Sequence, residues 1–326
     1  MMMRKFLLNL FVFSLIFLVF SSILSQLFER TIMRDSMLLR TEHHFLKDSE
    51  PLLFLFMGDS HTKDGINPDY IPQSFNFSTT KQSYIQTYYT LKSLLESHSR
   101  TDSLQMIFLP CDLTTFGSYR LRNFDPSFYW DRYLDFWEVG QTLDDRPRFL
   151  WKQLEASTMS YLNNGSYIIE YVGWRWFGGG KVKPQLNGHT PQPGDFSLIS
   201  DQDSFSRDRV QRLFGEGQLV DPHLADYFAR TVELCHAHDL PVVLLNFPLV
   251  RAYELAIKEY YPDWQEQMQT VEHIVNTPGV ILLTELTNDM SETPRWFHDP
   301  GHLNSGGAIE LSTRIKSWIE NQIPLE

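Results

Sequence analysis

Five short apolar runs set the strongest constraint on how this chain can fold: residues 52–57 (LLFLFM), 74–78 (SFNFS), 104–110 (LQMIFLP), 241–248 (PVVLLNFP) and 279–285 (GVILLTE). Four of the five are apolar almost throughout instead of alternating with polar residues, the pattern of strands buried on both faces. Segments of helical length and spacing lie between and after them, at 82–98, 222–239, 252–276 and 305–321. Strands of this kind separated by helices predict an α/β fold with a central parallel sheet covered on both sides. Such sheets place their ligand sites beyond the carboxyl ends of the strands. A chain of 326 residues has ample material for that core, as one large domain or two small ones.

The N-terminal region adds a second constraint. After Arg4 and Lys5, residues 6–28 carry no charge, and these 23 positions exceed the roughly 20 needed to cross a bilayer as a helix. A cleaved signal peptide is the alternative, but the apolar stretch is longer than a usual signal core and no small-x-small cleavage site follows it cleanly. Arg4 and Lys5 orient the helix with its start in the cytoplasm, an asymmetry that Arg30 and Arg34 weaken. The expected organisation is a cytoplasmic stub and anchor over 1–30, a juxtamembrane connector over 31–50, and an extracytoplasmic domain, periplasmic or at the cell surface, over 51–326.

Composition narrows the functions. A net charge of −12 with no segregated basic patch disfavours nucleic acid as a partner. Cys111 and Cys235 are too few for a disulfide framework. They read as buried free thiols, with a single bridge as the alternative.

The first strand runs into GDSH, residues 58–61. Gly58 permits a sharp turn, and Ser60 would project from the loop beyond the sheet edge. A serine hydroxyl needs a base, and the base needs a carboxylate to orient it. HDPGHLNSGGA, residues 298–308, supplies both between the last strand and the last helix: Asp299 and His302 lie three positions apart around a Pro-Gly turn. His302 would take the Ser60 proton while Asp299 holds the imidazole tautomer.

GDSH after the first strand together with DPGHLN near residue 300 resembles the SGNH (GDSL-like) hydrolase and acyltransferase superfamily. With the anchor added, the chain is similar to membrane-tethered members that modify envelope polymers. The resemblance implies a three-layer α/β/α sandwich, the triad Ser60, Asp299 and His302, and chemistry on acyl esters without a cofactor. Two features depart from the family pattern, which supplies a glycine and an asparagine to the oxyanion hole. After the second strand stands NFSTTKQS, residues 76–83, where Ser78 and its neighbours could offer backbone N–H groups instead. After the third stands Asp112, and an ionised carboxylate cannot donate a hydrogen bond to an oxyanion. Asp112 is therefore read as structural, or as a contact for a cationic or hydroxylated substrate.

A rival reading pairs Asp59 with His61. Asp-x-His occurs among metal ligands, with His189 or His298 as further candidates, but the accompanying metallophosphoesterase segments are missing. In the alginate-modifying relatives such a pair serves a serine later in the chain. With Ser60 as nucleophile, His61 simply lines the site and no metal is called for.

The stretch 115–222 reads as an aromatic-rich insertion holding five of the eight tryptophans. Most of these suit a core, while Trp174 and Trp176, followed by three glycines, are candidates for stacking on sugar rings. Three function classes follow. The first is an O-acyltransferase that passes an acyl group from a donor to an envelope glycan, with a polytopic membrane-bound O-acyltransferase as its delivering partner. The second is an esterase or deacylase, and the third a non-catalytic assembly or binding subunit.

Overall fold

The computed structural model describes residues 2–32, 37–122, 187–215 and 217–322, with positions 133, 158, 159 and 161. The chain divides into two compact units, residues 1–40 with 125–181 and residues 41–124 with 182–326. In the first unit, helix α1 (Met2–Thr31) is long and apolar enough to cross a membrane, which by length and composition fits an anchor or a signal sequence. Most of its large side chains, Phe6, Phe11, Phe13 and Ile16 among them, are exposed, while Phe28 near its end is buried. Ser21 on this helix donates to the Thr158 carbonyl at 2.7 Å and lies 3.0 Å from the Tyr161 hydroxyl.

The second unit is an α/β fold. Strands β1 (Phe54–Phe56), β2 (Ser74–Asn76), β3 (Met106–Pro110), β4 (Val242–Leu245) and β5 (Val280–Leu283) form one parallel sheet in the order β2-β1-β3-β4-β5. Alternate side chains leave a strand on opposite faces. Phe54, Phe56, Phe108, Val243, Leu245 and Leu283 accordingly share one core with Leu311, Ile315 and Ile319 of helix α10 (Ser305–Gln322), Phe56 stacking on Phe108 at 4.4 Å. Leu55, Ile107, Leu109 and Leu244 point the other way and are fully buried. That side belongs to helices α4 (Tyr84–Ser97) and α7 (Pro222–Ala237), joined through Tyr84–Phe228 and Tyr89–Tyr227 contacts. Helix α2 (Met37–Lys47) puts Phe45 edge-on against Phe75 and Phe77, and so gives the connector region a buried foothold.

Two expectations need amendment. The single helix expected over 252–276 is two, α8 (Arg251–Tyr260) and α9 (Trp264–Val275). Pro262 between them lacks an amide hydrogen and biases Tyr261 away from helical geometry, so the first helix closes at Tyr261 N–H to the Ile257 carbonyl. The run at β5 is also less buried than its composition suggests. It is an edge strand with one neighbour, and Ile281 and Leu282 remain 37% and 39% exposed.

After β1 the chain adds β2 on one side and then crosses to place β3 on the other. That reversal of strand order leaves a crevice beyond the carboxyl ends of β1 and β3, the usual ligand position in open α/β sheets. Ser60 follows one of these strands and Asp112 the other.

Candidate active site

The turn out of β1 is fixed by a residue that has to be glycine. Gly58 has φ +153°, and a Cβ there would lie 2.5 Å from Thr62 Oγ1 and 2.8 Å from the Pro110 ring. Gly58→Ala is therefore expected to cost about 2 kcal/mol or more through strain and overpacking. A urea midpoint unchanged from the parent chain would contradict this. The turn delivers Asp59 to the start of helix α3 (Ser60–Gly65), where its Oδ1 accepts the His61 amide at 2.9 Å. Ser60, the first helical residue, is half-buried, so its hydroxyl sits at the rim of the crevice.

Opposite it stands a small hairpin, β6 (Phe297–Asp299) and β7 (His302–Leu303), turned by Pro300 and Gly301 so that Asp299 and His302 are direct register partners. Asp299 Oδ1 accepts three hydrogen bonds, from the Gly301 amide at 2.9 Å, the His302 amide at 3.0 Å and His302 Nδ1 at 2.8 Å. Burial opposes charge on this carboxyl. The His302 hydrogen bond and charge, with Arg209 and the Gly301 amide, outweigh it and hold the group well below the usual carboxylate range. With Nδ1–H committed to Asp299, His302 Nε2 is left as an acceptor and meets Ser60 Oγ at 2.8 Å. Asn304 braces the hairpin: its amide donates to the Gly194 and Arg295 carbonyls, and its oxygen accepts the Gly307 amide at the start of α10.

Two arginines enter that sequence reasoning missed. Arg209, from helix α6 (Gln202–Phe214), donates to Asp299 Oδ2 at 3.1 Å and brings its guanidinium to 3.3 Å from His302 Nδ1. Arg120, from the short helix α5 (Tyr119–Arg122), forms a buried ion pair with Asp59 and donates from Nε to the Thr114 carbonyl at 2.8 Å. Burial would raise the Asp59 carboxyl; Arg120, then His61, reverse this and bring it down to about 2. Neither arginine had a local signature, since each lies in an ordinary charged stretch and gains its place only through tertiary packing.

The remaining candidates fall as follows. Asp112 is buried and pairs with His61, Oδ2 to Nδ1 at 3.2 Å, while its Oδ1 accepts the Thr114 amide and hydroxyl at 2.8 and 2.7 Å. Both oxygens of the carboxylate are thus engaged by groups of the protein itself. Asp59 does not orient the His61 ring, because its oxygens serve the His61 backbone and Arg120. In the stretch 76–83 the amides of Asn76, Phe77, Thr79, Gln82 and Ser83 are already bonded, to Asn187, Phe56, Gly58, Thr79 and Gln86 respectively. Ser78 keeps a buried hydroxyl with no hydrogen-bond partner among the described residues. His189 lies buried with Nδ1 near the Lys63 carbonyl, its basicity pushed down to about 4 by desolvation. His298 sits 3.8 Å from Asp299. Among the described residues no three His, Cys, Asp or Glu side chains gather as metal ligands would. Cys111 and Cys235 are free and buried, each thiol pushed up to about 12 by desolvation. Trp174 and Trp176 lie outside the described residues.

Comparison with known proteins adds little to this geometry. No family model and no curated protein matches the chain. One solved structure that does match is a protein provisionally assigned as a platelet activating factor from Streptococcus pneumonia. It is 15% identical, with 90% of this chain and 97% of that chain covered and a TM-score of 0.36.

Proposed function

We propose that this chain is a membrane-anchored serine enzyme acting on acyl esters, and that its working reaction is O-acyl transfer to an envelope or exported polysaccharide. The observation that carries the acyl-ester chemistry is the continuous relay from Ser60 Oγ to His302 Nε2 and from His302 Nδ1 to Asp299, each link 2.8 Å. In the first half-reaction Ser60 Oγ attacks the donor carbonyl as its proton passes to His302 Nε2. The donor alcohol then leaves with that proton, and the acyl group stays on Ser60. In the second half, an acceptor hydroxyl loses its proton to His302, attacks the acyl-serine carbonyl and takes the acyl group, and Ser60 recovers the proton. Asp299 holds the ring and stabilises its transient charge.

Hydrolysis would use the same acyl-enzyme with water in the second half. Transfer is favoured by the apolar helix α1, which would hold the reaction beside membrane-bound donors. An enzyme built for transfer keeps the acceptor hydroxyl close to the ester carbonyl and so raises its effective concentration over water. Trp174 and Trp176 are the proposed stacking platform for that acceptor.

The test is product analysis by mass spectrometry with a donor ester and a panel of envelope oligosaccharides. The expected outcome is acylated oligosaccharide whose formation is lost in Trp174→Ala while donor hydrolysis persists. Release of free acid alone, across a panel that includes the native glycan, would make the protein an esterase.

A further inference from the structure

Beside the Ser60 relay lies a second histidine–carboxylate pair that the proposed mechanism leaves unused. His61, next in sequence to Ser60, is buried and anchored through Nδ1 to Asp112 at 3.2 Å, and Asp112 is itself fixed by the Thr114 amide and hydroxyl. The His61 ring stands perpendicular to the His302 ring, with an interplanar angle of 89° and centroids 4.9 Å apart. A Cβ on Gly301, which with Pro300 turns the hairpin between Asp299 and His302, would lie 3.4 Å from His61 Nε2. His61 thus packs directly on the element that presents the base.

The charges around it do not balance without it. Asp59 and Asp112 are both buried and both held ionised, the first by Arg120 and His61, the second by His61. Among the described residues Arg120 is the one permanent cation in this group, and it is already committed to Asp59. Asp64 on the next turn of α3 is a further buried carboxyl, whose nearest cation is Lys63 at 3.8 Å. The other charged groups facing the pair are Asp299 and His302 on the hairpin, with Arg209 behind them. Two buried carboxylates against one arginine leave one negative charge to be met, and the imidazole bonded to Asp112 is placed to meet it.

Resting on the triad reading, we infer that His61 is a positioning residue for His302: held by Asp112 as a resident imidazolium, it fixes the attitude of the His302 ring and opposes a second charge there, keeping the base free to accept the Ser60 proton. The direction of the electrostatics agrees. Desolvation would lower the basicity of His61, but the Asp112 and Asp59 carboxylates outweigh it and raise it.

The experiment uses the full chain in detergent micelles with nitrogen-15-labelled histidine. At neutral pH both ring nitrogens of His61 are expected to be protonated; a neutral His61 ring would overturn the inference whatever the variants do. His61→Gln keeps a donor for Asp112 but removes the charge, so it should move the titration of His302 upward by about one pH unit. The acidic limb of the pH–rate profile should move with it. The charge-balanced pair His61→Gln with Asp112→Asn should bring both back toward the parent. An unmoved His302 titration in a folded His61→Gln chain would leave His61 a packing residue. The same titration in Ser60→Ala and in Ser60→Ala with His61→Gln needs no turnover, so a failure of the serine mechanism is seen separately from a failure of this inference.

Discussion

Replacing Ser60 by alanine is expected to lower ester turnover on the order of 10⁴- to 10⁶-fold, because the hydroxyl 2.8 Å from His302 is the proposed point of acyl attachment. His302→Ala should cost about as much, and the two together no more than either alone, since residues acting as one relay are not additive. Asp299→Asn should fall on the order of 10⁴-fold, because an amide facing Nδ1 favours the wrong tautomer. A chromogenic acyl ester with the purified full-length chain gives all four rates. Full activity in Ser60→Ala would move the nucleophile elsewhere and return attention to Asp59 and His61.

The second large effect is on stability. Arg120→Met should destabilise the fold by about 3–5 kcal/mol, the penalty for leaving one member of a buried ion pair uncompensated. Asp59, with 2% of its surface exposed, would lose its counterion, and the Thr114 carbonyl would keep only the Tyr119 hydroxyl of its two donors. Urea unfolding followed by circular dichroism reads the loss, and adding Asp59→Asn should restore part of it. The pair also sets an acid signature. Asp59 is brought down to about 2 in the fold, below the roughly 3.9 of an unfolded aspartate, so its contribution is fully present above that value and is lost as pH falls through about 2. The urea midpoint of the parent chain should therefore drop across that window, and the double variant should drop less. Equal acid dependence in the two would assign the effect to other carboxylates.

Both experiments probe residues of unequal visibility in the sequence. The parallel sheet was legible because its strands are apolar on both faces, and the meeting of Ser60 with the hairpin because each half is a short motif at a strand end. Asp299 and His302 need only three positions and a Pro-Gly turn to converge, which spacing alone reveals. Pro262 was equally visible, yet the periodicity on either side hid the break it makes between α8 and α9. Arg120, Arg209 and the His61–Asp112 pair were not legible. Each depends on a side chain reaching across elements far apart in sequence, and a charged residue in a helix looks the same whether it ends in solvent or under an active site. The exposure of β5 escaped for a related reason: apolar composition does not say which strand will lie at an edge.

The distance along the chain between the two halves of the relay has a consequence for synthesis. Ser60 and His302 are separated by 242 positions. At ribosomal speeds of roughly 5–20 residues per second, that interval is on the order of 10 to 50 seconds. The serine is thus made first and stays without its base until nearly the whole sheet has been assembled around it. On the proposed mechanism a nascent or truncated chain presents only an ordinary hydroxyl, and regain of ester turnover on refolding should trail the recovery of helical signal, marking closure of the contact between Ser60 and His302.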